Sequence, residues 1–576
     1  MALACLLIAA TAAEPLRAQE GPALSDLVSE TRRHWRSLSE FVGTRSPISI
    51  EGGHSGIEVE IALSPRIELL GGEVMIQHEH AATEPGLAPG LRISWDDREI
   101  GTALLSPGER RGRLVGRLPG LEAPVSSYRL KVASRQEGLP VTGADTPIPI
   151  TQIDTLASGL ALEYQLRPLD PLLDQLRDLI DDRFWGDYAL TLVTPPLYSL
   201  EARHLDWGNR VAQRSAIWMG KRPLEIRHSD RLTSLGDEIA VGTRAELIGI
   251  LPKTICDQIS NSFVGVYPHP RDPRHFLLVL SGTEPEGVTQ AVRAFTIAPE
   301  QFPGLPRIDV TGWQIAETPA AGREAITGRR VTLPDLDLWR REGLPGAVTG
   351  GFDLWVGSRD AGSVSSAWML AGKLAQTAGD LQPMLGVVDT MPAGPRHWLA
   401  IGPISALEPA VVDASTHARV SVAEGEGFLT QFQSPEAVGI VGGVLCAADH
   451  LILRERVIDL IHPIVWESLR GDTSVWHAGD QEPRNHRLAV TFEVGSPGLA
   501  AAVWHRVTGL PWLSVLLCTV SLVILGWLLR QPMTSGRDWD LVPARANANR
   551  RTSRSRRQRE NARRQARLEE SLRRGV

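Results

Sequence analysis

Between about residues 45 and 170 the apolar positions follow a two-residue rhythm. Ile57, Val59, Ile61 and Leu63 alternate with Glu58, Glu60 and Ala62, the period of a half-buried strand. Val74 and Ile76 repeat it, as do Tyr128, Leu130 and Val132, then Leu160, Leu162, Tyr164 and Leu166. Gly- and Pro-rich turns separate these runs, and Asp96-Asp97 reads as a hairpin turn. Several short strands so punctuated predict a β-sandwich over 45–170. A short helix, Leu172 to Ile180, follows.

From residue 186 the rhythm changes. Leu190-Thr191-Leu192-Val193 is a short apolar strand, followed by a helical stretch around Ala212 to Met219. Strands at Leu224–Ile226, Glu238–Gly242 and Phe276–Leu280 come next, and a helix at Glu286 to Phe295 closes the unit. Strands alternating with helices predict a parallel, doubly wound sheet. The pattern recurs about 160 residues later, aligning Val193 with Val356, Gly242 with Gly402, and Leu280 with Val441. It also aligns Trp218 with Trp368, both expected in the core. Two similar α/β domains are therefore expected at 186–303 and 350–480. Residues 304–349 form a short connection containing the strand-like RRVTLPDLDLW.

Leu510 to Leu529 carries no charge and is long enough to cross about 30 Å of hydrocarbon as a helix. Trp512 and Trp527 stand near its ends, where indoles favour the membrane interface. Just before it, at 497–509, Leu499, Val503, Trp504 and Val507 share one helical face, suited to lying on the membrane or against a partner. The tail, 530–576, holds thirteen arginines against five acidic residues after Arg530. Basic flanks stay in the cytoplasm. Against −7 for the whole chain, this +8 leaves the remainder at −15. At the other end, apolar Leu3 to Ala13 with Ala10-Thr11-Ala12 predicts a signal peptide within 1–18. The expected topology is a single-pass inner-membrane protein with its bulk in the periplasm and its C-terminus in the cytoplasm.

Candidate chemistry is sparse. His78-Glu79-His80 puts two imidazoles on one strand face without further ligands at telling spacing, so the pair reads as exposed strand histidines and no metal site is assigned. There is no G-x-S-x-G or H-E-x-x-H. Asp96-Asp97 and Asp181-Asp182 are adjacent pairs that point apart rather than flanking a glycosidic bond. After the first strand of the first α/β unit, TPPLYSLE loses two N–H donors to proline, a poor flavin-phosphate loop; GSRDAGSVSSAW in the second unit is more permissive. No catalytic or cofactor-binding residue is assigned, and no cofactor. The basic tail lacks interleaved aromatics, which argues against nucleic acid. Cys256 and Cys446 are either a disulfide or two buried thiols. Of sixteen tryptophans, Trp95 beside its predicted turn is the candidate for stacking on a sugar.

GDEIAVGTRAEL (Gly236 to Leu247), VGVYPHPRDPRHFLLVLSG (Val264 to Gly282), SVSSAWMLAGKLA (Ser363 to Ala375) and WESLRGDTSVW (Trp466 to Trp476), in this order and topology, resemble the periplasmic B subunit of bacterial cellulose synthase. The resemblance implies a jelly-roll-like, carbohydrate-binding-type sandwich, two flavodoxin-like domains, an interface helix and one membrane span. It implies no enzymatic activity. The implied partners are the catalytic glucosyltransferase subunit, the nascent β-1,4-glucan and inner-membrane lipid; a homo-oligomer is left open. The family's second sandwich is missing, because about 46 residues between the α/β domains cannot supply it; 304–349 is then a short linker or the remnant of that sandwich, with RRVTLPDLDLW as its trace. The alternative is a cyclic di-GMP-binding regulator or ligand sensor of exopolysaccharide synthesis. Arg113 and Arg117 have the RxxxR spacing for that ligand, but PGLEAPVSSYRL lacks the rest of the motif.

Overall fold

The structure is a computed structural model. It describes residues 31–494, except 52–55, 81–88, 105–109, 121–126, 137–149, 234–235, 316–330, 334, 343–350, 393–395, 409–410, 412–421, 435–439, 481 and 488–491, together with Thr519. The predicted signal, interface helix and tail, and the apolar stem apart from Thr519, lie outside the described residues. So do Leu499, Val503, Trp504, Val507, Trp512 and Trp527. Among the described residues, no helix is long and apolar enough to cross a membrane.

The chain is mixed α/β, mostly sheet. Its first part contains strands β1 (Arg32–Ser37), β2 (Ile48–Glu51), β3 (Gly56–Ala62), β4 (Ile67–His80), β5 (Pro89–Trp95), β6 (Arg98–Leu104), β7 (Arg111–Leu118), β8 (Ser127–Gln136), β9 (Ile150–Ile153) and β10 (Gly159–Leu166). One antiparallel sheet runs β1-β10-β4-β9-β2, with β7 also paired to β4; a second runs β3-β8-β5-β6. The two share one apolar core, with Val74, Ile76 and Leu162 from the first and Ile61, Ile93 and Leu130 from the second. The alternation seen in the sequence is the burial alternation of β3. Asp96 and Asp97 both take positive φ (46° and 65°) and turn β5 into β6, as their adjacency predicts. The first strand begins at Arg32, earlier than the expected border at 45. RRHWRS lacks apolar alternation, and its place is set by pairing with β10.

The next sheet comprises β11 (Ala189–Val193), β12 (Glu225–Ser229), β13 (Asp237–Thr243), β14 (Ser262–Pro268), β15 (Phe276–Gly282) and β16 (Arg307–Asp309), ordered β12-β11-β13-β15-β14-β16. Strands β12, β11, β13 and β15 are parallel. Strand β14 is antiparallel to both neighbours, so the sheet is mixed rather than parallel throughout. Next come β17 (Val331–Leu333), β18 (Phe352–Val356), β19 (Leu385–Val388), β20 (His397–Pro403), β21 (Gly427–Gln433), β22 (Val441–Ala447), β23 (Thr473–Trp476), β24 (Arg484–His486) and β25 (Phe492–Val494). The order β19-β18-β20-β22-β21-β23-β24 repeats the first sheet and adds β24, while β17 pairs with β25. The duplication expected from the sequence is therefore a duplicated strand order. Its alignment needs one correction. Strand β22 starts at Val441 where β15 starts at Phe276, so Leu280 matches Leu445, not Val441.

Four helices matter here: α1 (Ala202–Trp218), α2 (Pro285–Ile297), α3 (Ala361–Ala378) and α4 (His450–Ile461). Helices α1 and α3 pack side by side and run the same way. The Trp368 indole N–H donates to the Leu205 carbonyl at 3.1 Å, and the Gln376 amide donates to Ala216 O at 3.1 Å. Gly208 lies under the Trp368 ring; a Cβ there would come within 2.3 Å of it. Trp368 is thus a buried joint between the two α/β units. Trp218 closes the far end of α1, half-buried against Phe295, so the two tryptophans are not equivalent positions. Around the connection, Trp339 is fully buried, its indole N–H donating to the Gln431 amide oxygen at 3.1 Å and its ring edge-on to Phe352. That segment packs on the second α/β sheet and has no sandwich of its own among the described residues.

The first part is fastened to the first α/β sheet by a buried ion pair. Arg66, in the turn between β3 and β4, donates both terminal nitrogens to the Asp237 carboxylate at 2.7 and 2.8 Å. The Tyr188 hydroxyl donates to the same carboxylate at 2.8 Å, His275 Nδ1 lies 3.0 Å away, and Arg66 also reaches the Leu179 carbonyl. Both charged residues are 2% exposed. Burial alone would raise the Asp237 pKa, but the Arg66 charge and the hydrogen bonds from His275 and Arg66 hold it well below the usual carboxylate range. Removing one partner leaves an uncompensated buried charge. Arg66→Met should therefore destabilise the full chain by about 3–5 kcal/mol, read as a lower unfolding temperature in detergent. Arg66→Met with Asp237→Leu should recover much of that loss; equal melting of Arg66→Met and wild type would refute the role given to the pair.

Candidate functional site

In open α/β sheets, ligands favour the crevice beyond the carboxyl ends of the strands, at the point where strand order reverses. Here that point lies beyond β11 and β13. Its anion-attracting element would be the N-terminus of α1. Glu201 already caps that helix in a reciprocal capping box with His204. The Glu246 carboxylate lies 3.1 Å from His204 Nε2 and 3.2 Å from an Arg203 nitrogen, and accepts the Thr243 N–H at 2.8 Å. Burial opposes its charge, but the hydrogen bonds from His204 and Thr243 hold it down at about 2. The crevice is lined by the protein's own carboxylates.

The second unit repeats the device. Asp360 caps α3, accepting the Ser363 N–H at 2.7 Å and the Ser363 hydroxyl at 2.8 Å. In the preceding loop, a Cβ on Gly357 would come within 2.6 Å of Leu407. The permissive-looking GSRDAGS stretch therefore builds a filled turn. An open cleft of about 420 Å³ lies instead at the start of α2, lined by Asn261, Thr283, Glu284, Gln290 and Trp313.

Several residues singled out in the sequence occupy places that their local pattern did not reveal. Trp95 is 2% exposed and stacked on Tyr128 at 5.0 Å; its ring is core and has no face for a sugar, which corrects the expectation. His78 and His80 are 5% and 4% exposed, not exposed strand histidines. They share a 3.0 Å hydrogen bond, and Thr151 holds His80 Nδ1 at 2.8 Å. Among the described residues no group of three metal-ligating side chains comes together. Cys256 and Cys446 are both buried free thiols. Asp181 accepts from Arg183 at 2.9 Å. Arg113 and Arg117 lie on the exposed face of β7. That same sheet face carries Trp35, 38% exposed, which sequence reasoning missed because β1 precedes the expected border. The only available signal was a tryptophan among charged residues.

The fold defines a sheet-rich, multi-part protein with a duplicated α/β unit and self-filled helix termini. Residues 180–307 match the family model of the first FD domain of cellulose synthase BcsB, which supports a B-type cellulose synthase subunit. No curated protein matches the chain at a significant level. Among solved structures, the sugar-binding C-terminal domain of EclA is similar at 17% identity, covering 24% of this chain and 88% of that one, with TM-score 0.14. Dimeric latent PorU from Porphyromonas gingivalis is similar at 13% identity, covering 26% and 14%, with TM-score 0.18. A family two carbohydrate esterase from Clostridium thermocellum, in complex with cellohexaose, is similar at 10% identity, covering 31% and 40%, with TM-score 0.13. These likenesses are too slight to bear on function.

Two outcomes are expected from this geometry. Because a carboxylate caps each candidate helix terminus, adding the full chain to FMN should leave flavin fluorescence unquenched; saturable quenching would contradict the filled crevices. His397 Nδ1 accepts the Val441 N–H at 2.9 Å, which requires a neutral ring nitrogen. Burial pushes its pKa from 6.5 down to about 4. The folded value lies below the unfolded one, so its stabilising contribution is complete above about pH 6.5 and is lost as pH falls towards 4. Unfolding temperature should drop across that window, and less steeply in His397→Gln, which keeps an acceptor. Identical slopes would remove His397 from the account.

Proposed function

We propose that the chain is a non-catalytic, membrane-anchored B-type subunit of a cellulose synthase, supporting the catalytic subunit and guiding the nascent β-1,4-glucan through the periplasm. The observation that carries this reading is the match of residues 180–307 to the first FD domain of BcsB. On this reading residues 45–170 are a carbohydrate-binding-type sandwich. The two α/β units are flavodoxin-like domains with a reversed fourth strand. Residues 497–509 dock on the partner or lipid, and 510–529 anchor the chain with its tail in the cytoplasm.

The internal joints support a scaffold role. Arg66 with Asp237 links the first part to the first α/β unit. Trp368, and the ion pair of Arg454 with Glu225, link the two α/β units. Carboxylates where a flavin phosphate would sit agree with a fold used for shape rather than redox chemistry.

Ending the chain before Leu510 should release it from membranes, stop its co-purification with the glucosyltransferase, and abolish glucan synthesis. Undiminished synthesis by the truncated form would defeat the reading.

A further inference from the structure

The outward face of the first sheet carries a partly exposed tryptophan. Cross-strand register places Ser37, Gly159, Met75 and Val115 in one row, with Trp35, Ala161, Glu73 and Arg117 in the next. Trp35 leans across the first row. A Cβ on Gly159 would meet the β1 backbone first, 2.2 Å from the Arg36 carbonyl, and would also lie 2.7 Å from the edge of the indole, so the ring rests against strand β10 at a glycine. The ring stays 38% exposed there, and Val115, at the other end of the row, is also 38% exposed. From β1 to β7 the row spans about 14 Å, three interstrand spacings.

Hydrogen-bonding groups flank this band. Arg33 pairs with Glu73 at 3.0 Å and approaches Glu163 at 3.6 Å, while Arg111 pairs with Glu79 at 3.1 Å. Gln77 and Arg113 are exposed and directly opposite each other. Most of the charge on this face is therefore neutralised within it, which leaves little net field for a charged partner. A partly exposed indole beside apolar side chains and bordered by polar groups fits a β-linked glucan. Its sugar rings present C–H faces to an aromatic ring, while equatorial hydroxyls project from the edges.

We propose that this face, with Trp35 as its stacking platform and Gln77 and Arg113 as edge contacts, binds a neutral β-1,4-glucan chain. The inference rests on the subunit reading above and names where that polymer would be held.

The test is retardation of the detergent-solubilised full chain in native gels containing hydroxyethylcellulose, with calorimetric titration of cellohexaose. Wild type should bind. Trp35→Ala should bind about tenfold more weakly with an unchanged melting temperature, and Trp35→Phe should recover most of the affinity. Equal binding by wild type and Trp35→Ala overturns the proposal. So does an absence of glucan binding by wild type, even with phosphatidylglycerol vesicles bound instead through Arg113 and Arg117. Co-purification with the glucosyltransferase, measured on the same Trp35→Ala variant, separates the two ideas. If it persists while wild type binds no glucan, this face has been misread and the subunit reading stands. If wild type itself fails to co-purify, the subunit reading has failed.

Discussion

The bidentate contact of Arg66 with Asp237 fixes how the antiparallel first part meets the first α/β sheet. Both charges are removed from water, so the pair is tolerable only because the carboxylate and both terminal guanidinium nitrogens are met. Tyr188 and His275 meet the carboxylate, and the Leu179 carbonyl meets the guanidinium. Desolvated ion pairs contribute little net stability over an apolar substitute, but losing one member is costly. Such a joint specifies one orientation.

The duplicated unit shows the same constraint met with different chemistry. Asp237 opens β13 and accepts the Phe276 N–H at 3.3 Å. His397 opens β20 and accepts the Val441 N–H at 2.9 Å. Both serve the start of the neighbouring strand. In the first unit the acceptor is charged and can also take a guanidinium from outside; in the second it is a neutral imidazole kept neutral by burial. One copy could thus be joined to the first part while the other keeps a closed end. Helices α1 and α3 then press the two copies together across Trp368 and Gly208.

Filled helix termini separate this architecture from the cofactor chemistry that its strand order would suggest. A helix N-terminus attracts anions through unpaired N–H groups and the helix dipole. Asp360 satisfies such a group from within the chain, and Glu201 stands in a capping box with His204 at the other terminus. Strand order leads to a crevice; local capping decides whether anything can enter it.

Element identity was legible wherever a period was strong. Strand β3, the hairpin at Asp96-Asp97 and the recurrence of strand, helix and strand follow from alternation and turn chemistry, because burial on one face leaves its mark every second or fourth residue. Strand β1 and the reversed β14 escaped, since their places come from long-range pairing that leaves no local period. The intended role of Trp95 failed for a related reason. Its position beside a turn suggested exposure, but the ring points inward onto Tyr128, and Trp35 takes the outward position. His78 and His80 likewise read as surface residues in the sequence, but their strand turns that face to the core. By itself the sequence determined the strands and helices that carry a strong period, that the α/β unit is doubled, and that G-x-S-x-G and H-E-x-x-H are absent. Only the tertiary structure decided which tryptophan meets water, which carboxylate fills each crevice and how the parts are joined, because those outcomes depend on contacts between residues far apart in the chain.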